Sequence, residues 1–267
     1  MTATSLSRLA AGLLAVVALG GCATAPETGR SQLLMVSPAE EAQMGLNAFQ
    51  QTKATTPISR NRQETERLNR VGTRIARVAK LPNAHWEFVL FESDEPNAFA
   101  LPGGKVGVYT AILPITKDDT GLATVVAHEI AHATARHGAE RVSQGMAVQI
   151  GGAVLAGVLG ASGYGGATQD LAMQAYGAGT QVGVLLPYSR TQELEADRIG
   201  LIYMARAGYD PRESVAFWRR FQAYNASRGS KTPEFLSTHP LDENRIAQLE
   251  KFMPQAMAEY RRAGGRS

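Results

Sequence analysis

HEIAHATARHG, residues 128–138, is the stretch on which the reading of this chain turns. Residues four apart on a helix share a face, so His128 and His132 aim two imidazoles at one point, with Glu129 beside them. That spacing is what a divalent metal needs from one helix, and it sets a carboxylate where it can take a proton from a metal-activated water. Three of the chain's five histidines fall in this stretch, which argues against a chance pair on a helix surface. His137 lies nine residues after His128. At about 100° per residue an unbroken helix turns it to the opposite side, so it reads as a neighbour of the site or a partner of the helix C-terminal dipole, not as a ligand.

Two histidines do not complete a catalytic metal site, which takes three protein ligands and keeps a position for water. The third ligand is expected in YSRTQELEADRIGLIYMARAG, residues 188–208, a helical pattern closed by Gly208. Glu193, Asp197, Gly200 and Met204 fall on one stripe of that helix, whereas Glu195 lies about 200° round from Glu193. Two carboxylates one turn apart on an otherwise apolar helix are costly to bury without a cation or a donor. Glu193 is therefore assigned as the third ligand and Asp197 as the acceptor that fixes a ligand histidine's free N–H, with Glu195 the alternative ligand.

Working outward, SPAEE at 37–41 carries a helix start, and helical patterns run to about residue 50 and again over about 60–80 with Leu68, Val71, Ile75 and Val78 in register. WEFVLFE (86–92), FAL (99–101) and KVGVYT (105–110), the last following the turn signal PGG, predict a small antiparallel sheet. The helix bearing His128 is capped among Asp118–Thr120 and is expected to stop at Gly138. Residues 145–186 are dense in Gly and Ala. Within them MAVQIGGAVLAGVLG (146–160) reads as too short and too glycine-rich for a membrane span, and the segment as a helical hairpin or lid over a cleft, with a plain buried helix pair as the alternative. The fold class is α+β, mainly α.

With 267 residues, 44% hydrophobic and 19% charged, the chain has ample length for a core, and disorder is excluded as its general state. A net charge of +3 without a basic run gives no nucleic-acid groove. Residues 1–21 form a signal segment: Arg8, the apolar run LAAGLLAVVAL, then LGGC ending at Cys22. LGGC resembles the bacterial lipobox, which implies lipidation of Cys22 and anchorage in a membrane, and Ala23 favours the inner leaflet of the outer membrane by resemblance to lipoprotein sorting signals. Cys22 is the only cysteine, so no intrachain disulfide forms and capping by lipid removes an otherwise odd exported thiol. Residues 22–36 are then a lipidated tether, and 37–267 a single domain.

HEIAH, followed some sixty residues later by ELEAD, resembles the gluzincin zinc metallopeptidases that include the CAAX prenyl protease, HtpX and the periplasmic protease BepA. EPNAFALPGGKVGVYTAIL (95–113) is similar to that family's strand and turn before the zinc helix, and STHPLDENRI (237–246) resembles its C-terminal motif. Ala135 and Gly138 stand where metzincins need Gly and His, which sets that class aside. The resemblance implies a minigluzincin-like domain holding one Zn2+, with Glu129 as general base and His239 and Arg245 at the cleft, either donating to the oxyanion or, for His239, capping the metal at rest. It also implies unfolded or misassembled envelope polypeptides as substrates, lying along residues 105–110. A non-catalytic zinc lipoprotein acting as chaperone or scaffold is the competing expectation, and the oligomeric state is left open.

Overall fold

The computed structural model describes residues 22–25, 27–181, 186–229, 232–240 and 243–265. The signal segment expected at 1–21 lies outside them. The chain divides into two compact units, one formed by residues up to Ser37 with Ala139–Leu185, the other by Pro38–Gly138 with Leu186–Ser267.

The second unit holds all the candidate site residues but Cys22. Helix α1 (Pro38–Thr55) starts on a proline whose missing N–H is no loss there, with Glu40 and Glu41 complementing the N-terminal dipole. Helix α2 (Arg62–Ala76) is capped by the Asn61 side chain, which accepts from the Glu64 N–H at 3.1 Å, and it buries Leu68, Val71 and Ile75. Strands β3 (Glu87–Phe91), β4 (Ala98–Leu101) and β5 (Lys105–Tyr109) form a sheet in the order β3-β5-β4. The hairpin between β4 and β5 is antiparallel, and its turn favours Gly103 and Gly104, whose φ values of 80° and 85° residues with a Cβ rarely adopt. β3 pairs with β5 in parallel, so the sheet is mixed where an all-antiparallel one was expected. The local hairpin docks its second strand beside β3, and no short-range pattern specifies which of the two does so.

After a short helical corner (Thr110–Ile112 and Leu113–Thr116) comes α3 (Asp119–Thr134), whose N-cap Asp118 accepts from the N–H groups of Thr120 and Gly121 at 2.9 Å. Every residue of α3 from Gly121 to Thr134 is buried. A helix buried on all sides must be enclosed by other elements, and α3 packs against α2, β4 and α6 (Leu186–Arg206). Gly121 lets α3 pass against the Thr116 carbonyl, where a Cβ would collide. Helix α3 stops earlier than expected. Arg136 takes a left-handed φ of 57°, and Gly138 lies inside the next helix, α4 (His137–Ala161). The unit is completed by α7 (Glu213–Ser227), α8 (Glu234–Thr238) and α9 (Glu243–Arg262). Phe217, Trp218 and Phe221 of α7 join Phe235 of α8 in the core.

In the first unit, β1 (Cys22–Thr24) and β2 (Ser31–Leu33) pair antiparallel within the segment read as a tether. Arg30 grips Glu140 through two N–H···O bonds of 2.7 Å, and the Met35 N–H donates to Ser143 Oγ at 2.8 Å. Helix α4 and α5 (Ala167–Thr180) make the hairpin expected over 145–186. Tyr176 of α5 donates its hydroxyl to the Val148 carbonyl at 2.9 Å, against Gly151, where a Cβ would strike that hydroxyl. The hairpin is not a buried helix pair: α5 buries no residue, and Ile150, Val154 and Val158 of α4 are exposed. Nor is α4 too short for a membrane. It runs 25 residues and is long and apolar enough, by length and composition, to cross one.

Candidate metal centre

Helix α3 presents His128 and His132 on one face, and α6 brings Glu193 to meet them. The His128 and His132 Nε2 atoms are 3.1 Å apart; Glu193 Oε2 is 3.3 Å from the first and its Oε1 3.4 Å from the second. All three side chains are buried. Nitrogen lone pairs and a carboxylate packed so closely repel one another unless a cation lies between them. A tetrahedral metal with donors at about 2.0–2.1 Å has edges of about 3.3 Å. The three atoms therefore already stand at the corners a zinc ion requires.

A fourth corner is taken by a residue far along the chain. His239 Nδ1 lies 3.3 Å from His128 Nε2 and 3.0 Å from Glu193 Oε2, and ligand atoms of the four residues all fall within 4.8 Å of one another. Residue 239 comes off the end of α8 ahead of Pro240, a position that favours extended backbone and turns the ring inward. Glu129 sits alongside, 2% exposed. Its Oε1 makes no hydrogen bond among the described residues and lies 3.4 Å from His239 Nε2. A buried carboxylate oxygen left without a donor is what a site awaiting a water or a metal-associated proton presents.

The second nitrogen of His128 and of His132 faces an acceptor. Asp197, one turn beyond Glu193, places Oδ1 3.0 Å from His128 Nδ1, an ion-pair contact outside the angles of a hydrogen bond that favours a proton on Nδ1 and leaves Nε2 facing the cluster. His132 is held by a longer relay. Its Nδ1 is 2.8 Å from His137 Nδ1, and His137 Nε2 is 3.0 Å from Glu195 Oε2. With Glu195 accepting, His137 Nε2 carries the proton and its Nδ1 accepts from the His132 N–H, leaving His132 Nε2 as a lone pair. The left-handed turn at Arg136 makes this possible by swinging His137 back toward His132; the uniform rotation assumed from sequence had turned it away. Glu195, the alternative ligand, binds this histidine instead. Orienting partners of this kind are worth about 10–100-fold in metal affinity. His137→Ala should weaken zinc retention by about that factor in a chelator competition, and His137→Gln, whose amide can accept from His132 and donate to Glu195, should restore most of it.

The carboxylates favour positive charge at this point, whether a proton or a cation. Burial penalises the His128 cation, yet Asp197 and Glu193 outweigh it and push its pKa up to about 9. Burial holds His132 well below the ordinary histidine value and raises Glu129. Glu193 is kept well below the ordinary range, burial notwithstanding, by the neighbouring histidines, and Asp197 is lowered against its own burial by Arg245.

Arg245 is 1% exposed and gives both arms of its fork to Asp197, at 2.7 and 2.8 Å. It also stacks 4.1 Å over the Trp218 ring and reaches the His239 carbonyl at 3.3 Å. Its place is behind the ligands, which removes it as a donor to an oxyanion. Trp218, which also packs against the His128 ring at 5.9 Å, was not picked out from sequence, because an aromatic on a helical stripe looks the same whether it backs a site or fills a core. The strand assigned to substrate, 105–110, is corrected too. β5 is the central strand with both sides paired. The side of β4 away from β5 carries no ladder among the described residues, and the Ala100 backbone favours the charged form of Glu129.

Gly200 allows α6 to approach α3 closely: a Cβ there would lie 3.2 Å from the His128 N and Cα. Gly200→Ala presses on the backbone of His128. It should cost about 1–3 kcal/mol of stability, measured by thermal or denaturant unfolding.

One helix supplying HEXXH and a second supplying glutamate and the aspartate behind it define a gluzincin-type metallopeptidase centre. Comparison with known proteins agrees: the model of peptidase family M48 matches residues 62–253, and the chain belongs to that family. Among its relatives, the mitochondrial metalloendopeptidase OMA1 of Schizosaccharomyces pombe is 39% identical over 192 residues, 72% of this chain and 54% of that protein. The counterpart in Saccharomyces cerevisiae is 42% identical over 168 residues, 62% of this chain and 46% of that protein. The beta-barrel assembly-enhancing protease of Escherichia coli is 32% identical over 252 residues, 92% of this chain and 50% of that protein. The chain thus spans about half the length of these curated relatives.

Proposed function

We propose that this chain is a zinc-dependent endopeptidase of the bacterial cell envelope that hydrolyses misfolded or unassembled envelope polypeptides. The observation that carries the reading is the set of buried donors of His128, His132 and Glu193 spaced 3.1–3.4 Å apart beside Glu129. When bound there, zinc supplies Lewis acidity that polarises a peptide carbonyl and lowers the pKa of a water. Glu129 takes the water's proton and hands it to the departing amine. His239, with Nε2 on the Glu129 side of the cluster, donates to the carbonyl oxygen as charge develops. An extended substrate adds to the open edge of β4, where main-chain pairing accepts many sequences and suits clearance of unfolded chains. Asp197, Arg245, His137 and Glu195 hold the histidines in the required tautomers.

The envelope setting rests on the LGGC sequence at Cys22 and on the Escherichia coli relative covering 92% of this chain; the OMA1 relatives are mitochondrial by name. Lipidation of Cys22 would hold the chain on the periplasmic side of the outer membrane, in its inner leaflet. Radiolabelled palmitate should enter the wild type and not Cys22→Ser, and labelling equal in both would remove the anchor. For the activity, the purified chain should cleave an unfolded outer-membrane protein, lose cleavage on chelation and regain it with zinc. Cleavage unaffected by chelation would sink the proposal.

One observation favours a second reading, a latent or non-catalytic zinc lipoprotein acting as chaperone or scaffold. His239 completes a four-residue cluster, and four protein ligands close a site. On that reading His239→Ala opens the site and raises basal cleavage. On the primary reading it lowers kcat.

A further inference from the structure

The hairpin of α4 and α5 has a surface that water does not favour. Helix α4 is apolar around its circumference, yet only 17% of its most apolar window is buried. A helix hydrophobic on all sides belongs in a protein core or in lipid. Val142, Met146, Ile150, Val154 and Val158 form an exposed line along its length, and Leu171 of α5 is 69% exposed.

Charge and length say what covers this surface. No charged residue occurs between Arg141 and Asp170, nor between Asp170 and Arg190. Along the sequence the charges thus flank the hairpin, Glu140 and Arg141 before its apolar part and Arg190 after it, with Asp170 just past the turn. From Val142 to the end of α4 at Ala161 the helix rises about 30 Å at about 1.5 Å per residue, which matches a hydrocarbon core of about 30 Å. A protein-binding groove would show a bounded apolar patch with a polar rim; here the exposed apolar surface runs from Val142 to Val158, with Gln149 the one exposed polar side chain along it, and charges occur only beyond it. The N-terminal strands belong to the same compact unit, tied to the helix base by Arg30 and Glu140.

We infer that this hairpin inserts into a lipid bilayer, with the Glu140–Arg141 end at the membrane surface and residues around Val154 in the hydrocarbon. The insertion is independent of peptidase chemistry and of a lipid on Cys22. The test therefore uses the full chain carrying Cys22→Ser, with Val154→Cys or Val158→Cys bearing a polarity-sensitive fluorophore and Ser227→Cys on α7 as control. Mixed with phosphatidylethanolamine–phosphatidylglycerol vesicles, the probes at 154 and 158 should shift to the blue and be quenched by lipids brominated on the acyl chains. Their quenching by aqueous iodide should fall severalfold, with the control unchanged. Adding Ile150→Asp should lower the partition of the 154 probe by roughly a hundredfold, as an aspartate near the centre of a membrane helix does. Bound zinc should be the same in all these variants, which separates loss of insertion from loss of fold. Iodide reaching residues 154 and 158 equally with and without vesicles would overturn the inference. So would probes shielded by an unfolded polypeptide, reduced carboxymethylated lactalbumin, but not by vesicles, since the surface would then belong to substrate.

Discussion

Glu129→Gln lowers peptide cleavage by about 10²–10⁴-fold while zinc content and melting temperature stay near those of the wild type. The substitution keeps the size of the side chain but removes the ability to take a proton. None of the three groups proposed to hold the metal is touched, so the loss is confined to proton transfer. Burial raises the carboxyl of Glu129 above its ordinary range, which makes it a better proton acceptor than an exposed glutamate would be. The measurement is cleavage of an unfolded outer-membrane protein by both forms at matched zinc occupancy. Equal rates would show that Glu129 is not the base, and would leave the cluster as a metal staple.

The second large effect falls on stability. Arg245→Ala removes the cation that neutralises Asp197 at 2.7 and 2.8 Å and Glu193 at 3.3 Å, all in surroundings nearly closed to water. Breaking a buried pair by deleting one partner strands the other charge, at about 3–5 kcal/mol. For a chain of this size that lowers the melting temperature by roughly 10 °C. Zinc affinity should fall with it, because Asp197 can then turn from His128 Nδ1. Arg245→Lys should rescue little, since a single ammonium cannot make the two parallel bonds to Asp197 or stack as a plane on Trp218. An unchanged melting curve for Arg245→Ala would mean that the buried pair contributes no net stability.

The two predictions concern residues that differ in how they were found. Glu129 could be read directly, because HEIAH is a helical spacing and the geometry of one helix is local. Glu193 and Asp197 followed from the same periodicity plus the cost of burying carboxylates unpaired. The role of Arg245 could not be read in this way. Its resemblance to the family placed it at the cleft, and only packing against Trp218 and Asp197 showed that it faces the back of the ligands.

From sequence alone came the helix that carries His128 and His132, the second helix with the carboxylate that meets them, and the approximate extent of the helices, since each depends on periodicity or capping within one segment. Tertiary structure decided what depends on separate segments meeting or on one backbone torsion. A left-handed residue at Arg136 sent His137 back to His132, where a regular helix would have carried it away. Strand order put β5 in the middle of the sheet and left the outer side of β4 without a ladder among the described residues. Folding brought His239 to the fourth corner from 111 residues beyond His128, and it left a long apolar helix uncovered. Sequence periodicity can show that a face is apolar, but what lies against that face is settled only when the rest of the chain has packed.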